Sequence, residues 1–163
     1  MYFSLDYPKI IGDPIHGYIP LTRCEYNLLQ LPVTNRLHHI KQNSLAFLVF
    51  PGSVTTRFSH VIGALHVGGK LASQILSRVG EEEFWELFPE IPSPEFIIKS
   101  VRLACLMHDI GHGPFSHSAE NVMLKITKKN YPNEVEEAKK LFNEDDEDRI
   151  PIHEFFSYKL VTN

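Results

Sequence analysis

A chain of 163 residues, 43% hydrophobic and 22% charged, carries enough apolar material for one domain with a sizeable core. Its net charge of -4, with no basic stripe to neutralise phosphates, argues against a general nucleic-acid binder. No apolar run approaches the roughly 20 residues of a membrane helix, and MYFSLDYPKI lacks a signal peptide's basic end and apolar core, so a cytoplasmic protein without membrane contact is expected.

In chain order, Asp13-Pro14 and Gly17 predict a short extended segment around a tight bend over residues 9 to 19. Thr22-Arg-Cys-Glu25 is a capping box that opens a helix, with Leu21 and Tyr26 placed as a hydrophobic staple and Tyr26, Leu28, Leu29 and Leu31 as its buried face. Pro32 interrupts that helix, and a second short one carries Leu37, Ile40, Lys41 and Gln42. Ala46 to Phe50 reads as a short strand or a buried coil before Pro51-Gly52. Thr55 or Thr56 then caps a long helix with Phe58, Ile62, Leu65, Leu71 and Ile75 on its apolar positions and His60 in its first turns. Glu81 to Glu83 lead into a short amphipathic helix closed by Pro89.

Ser93, Pro94 and Glu95 cap the next helix, whose residues from Phe96 to Met107 are apolar on nearly every side, which describes a helix surrounded by protein. His108 and Asp109 stand at its far end, and Gly111, Gly113 and Pro114 stop it just beyond. From Ser116 a helix with Val122, Met123, Leu124 and Ile126 breaks near Pro132 and resumes through Val135, Ala138, Leu141 and Phe142. The acidic run Glu144 to Asp148 reads as an exposed loop, and His153 to Tyr158 opens a last helix. Cys24 and Cys105, 81 residues apart in apolar surroundings, read as buried reduced thiols.

Imidazole nitrogen beside carboxylate oxygen makes His108-Asp109 a ready pair of metal ligands, and an ionisable pair at the end of a buried helix is costly unless it is paired or binds a cation. Two ligands hold a hydrolytic metal poorly. His60, 48 residues upstream on a helix of its own, supplies a third. With His112 and His117 following, and with DPIHG at 13 to 17, IKQ at 40 to 42, FPG at 50 to 52, RFSH at 57 to 60 and HDIGHGPFSH at 108 to 117, the sequence resembles the HD-domain metal-dependent phosphohydrolases. Within them it is similar to the deoxynucleoside triphosphate triphosphohydrolase branch, which spans bacterial and archaeal enzymes and the eukaryotic ones that join a sterile alpha motif to an HD domain.

The resemblance implies an all-α, irregular helical HD-domain fold over 1–163 as a single domain, with the helices from 57 and 94 facing each other across one divalent metal ion, whether Mg, Mn, Fe, Zn or Ni. It implies His60, His108 and Asp109 as metal ligands. The ion would lower the pKa of a bound water towards about 7. It implies His112 as acid catalyst, His117 as a group that binds or orients phosphates, and His153 as a third catalytic-pocket histidine. Arg57, one helical turn before His60, is implied on the triphosphate and Gln42 on the sugar. The reaction so implied converts a dNTP substrate to deoxynucleoside and tripolyphosphate. A regulatory nucleotide and a homo-oligomer are further implied partners.

Three departures qualify the match. The branch's last metal ligand is an aspartate on a helix well after the His153 position, so the fold is expected to be truncated before that helix, and Asp145, Asp146 and Asp148 lack a suitable helical setting. Asn43 follows Gln42 where leucine stands beside the sugar in the eukaryotic enzymes, which leaves the choice between deoxyribose and ribose open. Gln30 falls where they read a guanine regulator with aspartate, so guanine activation is not carried over. The competing readings are another HD phosphohydrolase acting on a monophosphate or signalling nucleotide, and a non-catalytic regulatory or assembly protein that keeps the fold. His16, His38, His39 and His66 read as structural or solvent-exposed.

Overall fold

The computed structural model describes residues 6–162 and is predominantly helical, as the sequence predicts, with one two-stranded sheet. Contacts divide the chain into two compact units: residues 6–35 with 59–107, and residues 36–58 with 108–162.

The first unit opens with an antiparallel hairpin, β1 (Lys9–Asp13) and β2 (Gly17–Leu21), in the register Lys9 opposite Leu21 and Asp13 opposite Gly17. Asp13 Oδ1 accepts from the backbone N–H groups of Ile15 and His16 at 2.9 and 2.8 Å, and Gly17 takes a φ of +74°, so DPIHG is a side-chain-stapled reversal. The expected bend is there, with full strands on either side. In α1 (Arg23–Leu29) both halves of the capping box form: Glu25 N–H donates to Thr22 Oγ1 at 3.3 Å and Thr22 N–H donates to Glu25 Oε2 at 2.8 Å. Of the expected apolar face only Leu29 is fully buried, while Leu31 is exposed and Glu25 is buried instead.

Glu25 is inside because Arg102, on α5 (Pro94–Met107), reaches it. Arg102 Nε and Nη2 donate to the two Glu25 oxygens at 2.7 and 2.9 Å, and Nη2 also donates to Pro20 O at 2.8 Å. A buried pair satisfied this fully locks hairpin, α1 and α5 together. The same arginine corrects the expectation that α5 is surrounded on all sides: its buried stripe is Ile98, Arg102 and Leu106, whereas Phe96 is exposed. Ser93 caps it as predicted, accepting from Phe96 N–H.

The long helix α3 (Arg57–Leu76) meets α5 at two glycines. A Cβ on Gly68 would lie 2.6 Å from Cys105 Sγ, and one on Gly69 would lie 2.7 Å from Arg102 Cγ, so only hydrogen fits. Below this contact Ala72, Leu76 and Ile98 form a core with Phe84 of the short helix α4 (Glu81–Leu87). On α3, Leu71 and Ile75 are exposed; Val61, Ile62 and Leu65 are buried apolar residues of its first half. The cysteines also depart from expectation, because Cys24 is exposed and Cys105 only half-buried.

In the second unit, residues 36–42 and 54–57 lie alongside one another, with Gln42 N–H on Thr55 O at 2.9 Å and Arg57 N–H on Ile40 O at 2.8 Å. The short helix expected after Pro32 is a turn, α2 (Pro32–Asn35), running into a 3-10 turn, Arg36–His39. Ala46–Leu48 is also a 3-10 turn, and Leu48, Val49 and Phe50 are exposed, so FLVF is neither strand nor buried coil. The N–H groups of Leu48, Val49 and Phe50 bond within the turn, to Leu45 O, Ala46 O and Ala46 O at 3.0, 3.0 and 2.7 Å, which leaves none of the three for a strand ladder.

Helices α6 (Glu120–Asn130), α7 (Pro132–Phe142) and α8 (Ile152–Thr162) complete the unit around Leu124, Val135, Ala138, Ile150, Ile152 and Phe155. Pro132 divides α6 from α7 as the sequence predicts, being acceptable at a helix start and not inside one. The acidic run is tethered: Glu147 and Asp148 pair with Lys128, and Glu147 also with Lys139. Among the described residues no helix is long and apolar enough to cross a membrane.

Candidate metal and acid–base site

Chemistry-bearing side chains gather in the second unit around the turn 108–112. The turn is splinted by two residues from elsewhere in that unit. Ser157, on α8, donates its hydroxyl to His108 O at 2.7 Å and accepts from Gly111 N–H at 2.8 Å. Arg36 donates to His112 O at 2.6 Å and to Ile110 O. With His112 N–H on Asp109 O at 3.1 Å, the backbone polar groups of this turn are tied down by partners of fixed direction.

Gly111 is what lets α8 come so close. A Cβ there would stand 2.1 Å from His153 O and 2.4 Å from Ser157 N, inside the backbone of the helix. Beyond the turn, Phe115 and Ser116 both take positive φ, +64° and +53°. Such a bend costs on the order of 1–3 kcal/mol per residue and persists only where the surroundings hold it. Here Ser116 is fixed by Arg57, whose guanidinium donates to its hydroxyl, and by its own bond to Gln42 O at 3.2 Å.

Asp109 is 4% exposed. Its carboxylate pairs with Arg57, has His108 Nε2 at 3.3 Å, and has His112 Nε2 at 3.4 Å in poor hydrogen-bond alignment. Burial pushes its pKa up, but the contact with His112 and the charges of His108, Arg57 and His112 outweigh that and hold it well below the usual carboxylate range. The group is therefore an anion at neutral pH. His108 beside it is half-exposed, its Nε2 within ligand-to-ligand distance of Asp109. An ionised carboxylate next to an open imidazole is a donor set that fits a divalent cation.

His60 lies in the first turns of α3, half-buried, within the first unit. Arg57 is 1% exposed and directs its guanidinium to Asp109 and Ser116, so it is the counter-charge of the buried carboxylate. Gln42 contributes main-chain groups, its N–H to Thr55 and its O to Ser116.

His112, His117 and His153 come together around one carboxylate that sequence reasoning passed over, Glu120. Its Oε1 lies 2.5 Å from His117 Nδ1, 2.8 Å from His153 Nδ1 and 3.7 Å from His112 Nδ1. The His112 and His153 rings stack at 3.9 Å, and His117 stands edge-on to both. Burial, with the neighbouring His112 charge, drives the His153 pKa down to about 4 against the pull of Glu120, so its imidazole is neutral at physiological pH. His117 is the exposed member and His112 the enclosed one, at 65% and 1% side-chain exposure, so His117 is the imidazole open to solvent. Three imidazoles sharing one carboxylate can accept, hold and pass on a proton.

Glu120 carried a usable signal: three residues after His117 on a predicted helix, it falls on the same face. Arg36 and Ser157 carried none, because their partners are main-chain atoms far away in sequence.

The pattern of the family described as HD domain matches residues 57–162. Similar curated proteins include the human deoxynucleoside triphosphate triphosphohydrolase SAMHD1, 36% identical over 124 residues that make up 76% of this chain and 18% of that protein. The putative HD domain-containing protein L394 of Acanthamoeba polyphaga mimivirus is 33% identical over 83% of this chain and 30% of its own length. The SAMHD1 homolog of Dictyostelium discoideum is 37% identical over 74% of this chain and 22% of its own. The chain thus spans between about a fifth and a third of the length of these relatives.

Proposed function

The chain belongs to the HD-domain family, and from that premise we propose that it is a metal-dependent phosphohydrolase whose substrate is a deoxynucleoside triphosphate, cleaved to deoxynucleoside and tripolyphosphate. The observation that carries the reading is the turn 108–112 itself. A buried, ionised Asp109 stands between His108 and His112, and a cluster of three imidazoles follows directly. The names of the relatives supply the substrate class.

His108 and Asp109, with His60 as the proposed third ligand, would hold the divalent ion. When bound, the ion supplies a water ionised near neutral pH and polarises a phosphoryl oxygen. The splint of Arg36 and Ser157 keeps His108 and Asp109 in one geometry, so that binding needs little reordering of the turn. His112 gives a proton to the departing 5′ oxygen, and Glu120 orients the imidazoles that resupply it. His117 faces the phosphates, His153 holds His112 in place by stacking, and Arg57, paired with Asp109 in the structure, would supply its guanidinium to phosphate oxygens. Gln42 lies against the sugar.

The test is phosphate-product analysis on a panel of the four dNTPs with Mg2+, Mn2+, Fe2+, Zn2+ or Ni2+, using this chain and any longer reading frame that contains it. Tripolyphosphate should appear, and Asp109→Asn should abolish it. Orthophosphate or pyrophosphate as the product would shift the reading to another HD phosphohydrolase. Absence of turnover in every form would leave a non-catalytic regulator.

A further inference from the structure

The residues around Glu120 have a second chemistry that proton transfer does not require. Three imidazole nitrogens and a carboxylate oxygen, from His112, His117, His153 and Glu120, all lie within 4.8 Å of one another. A tetrahedral ion with bonds of about 2.0–2.1 Å needs its ligands about 3.4 Å apart. The distances from Glu120 Oε1 to the three Nδ1 atoms, 2.5, 2.8 and 3.7 Å, bracket that edge. His112 is 1% exposed, yet neither of its ring nitrogens makes a hydrogen bond, and buried Nδ1 of His153 makes none despite its proximity to Glu120. Buried polar atoms left without a partner point to a group that satisfies them when present.

We propose that His112, His117, Glu120 and His153 form a second divalent-metal site, selective for ions that favour tetrahedral imidazole coordination such as Zn2+, and distinct in every residue from the one proposed at His60, His108 and Asp109. The donor set decides the class of ion: three imidazoles and one carboxylate suit Zn2+ or Co2+, whereas Mg2+ and Ca2+ prefer all-oxygen shells. Binding requires one of the stacked rings, His112 or His153, to rotate so that both lone pairs meet the ion. Occupancy withdraws all three imidazoles from proton transfer. The site is therefore inhibitory: a transition ion in excess of the catalytic one switches the chemistry off. The binding claim stands whatever the substrate is.

Cobalt reports the geometry directly, because tetrahedral Co2+ absorbs visible light far more strongly than octahedral Co2+. The His60→Ala/His108→Ala double variant, which lacks two of the three ligands proposed for the other ion, should still bind one equivalent of Co2+ with tetrahedral bands that Zn2+ displaces. Adding His117→Ala or Glu120→Gln should weaken Co2+ binding at least about 100-fold, since even partners outside the coordination shell are worth 10–100-fold, with the far-ultraviolet circular dichroism unchanged. Weak octahedral absorption in the folded double variant, or tetrahedral bands that survive loss of both His117 and Glu120, overturns the proposal.

Discussion

His153 shows how a single residue ties stability to pH. Its imidazole is nearly enclosed at 13% exposure, stacked on His112 and close to Glu120. Burial together with the His112 charge lowers its folded pKa to about 4, whereas in the unfolded chain it returns to the ordinary 6.5. Between those two values the unfolded chain binds more protons than the folded one. Stability is therefore undiminished above about pH 6.5 and declines as the pH falls towards 4. Asp109 works in the same direction in a more acidic window, since its depressed pKa contributes stability that is complete above the ordinary carboxylate value and is lost progressively as the pH falls below it. The urea midpoint should drop between pH 7 and pH 4.5, and His153→Gln should make that drop smaller. An identical slope in the variant would place the acid sensitivity elsewhere.

At the scale of elements, the docking of α8 on the turn 108–112 decides whether the candidate site exists. The helix touches that turn through backbone at Gly111 and through the Ser157 hydroxyl, which serves His108 O and Gly111 N–H together. Gly111→Ala drives a methyl into the His153 carbonyl, where only main chain can yield, so α8 must lift away and both Ser157 bonds go with it. Overpacking of about 1–3 kcal/mol plus two buried groups left unsatisfied at about 1–3 kcal/mol each exceeds what most single substitutions cost. Urea unfolding should record a loss of several kcal/mol, and amide exchange should show Gly111 N–H losing protection. A loss under about 1 kcal/mol would mean that α8 is not clamped there. The same interface shows what a sequence can and cannot disclose. Helix starts were legible wherever the signal is local, as in the Thr22 capping box, the Ser93 cap and the Pro132 break. His108 and Asp109 stood out because an imidazole and a carboxylate side by side at the end of an apolar helix are unusual, whereas the roles expected for His112, His117 and His153 came from the family resemblance. Arg36 and Ser157 were not, because a side chain that bonds to main-chain carbonyls leaves no complementary residue type to read. FLVF misled because its hydrophobicity says nothing about whether a partner strand exists, and Arg102 because its acidic partner, Glu25, lies 77 positions away.

For the molecule as a whole, the proposed metal site would link folding and metal binding through Asp109. Its buried charge is balanced by Arg57. Arg57→Ala removes the counter-charge and leaves a buried carboxylate beside two imidazoles, which should cost about 3–5 kcal/mol in metal-free buffer. A divalent ion at the proposed His108–Asp109 site would restore the balance. At one hundred times its dissociation constant an ion that binds only the folded state contributes about 2.7 kcal/mol, enough to recover most of that loss. The variant should therefore melt well below the parent in EDTA and recover most of the gap in saturating Mn2+. The parent should gain less, because the ion there must first displace Arg57. His108→Ala, placed in the Arg57→Ala background, should remove the rescue. Equal metal-induced shifts in parent and Arg57→Ala proteins would separate Arg57 from the cation site, and would return it to a purely structural role alongside Ser116.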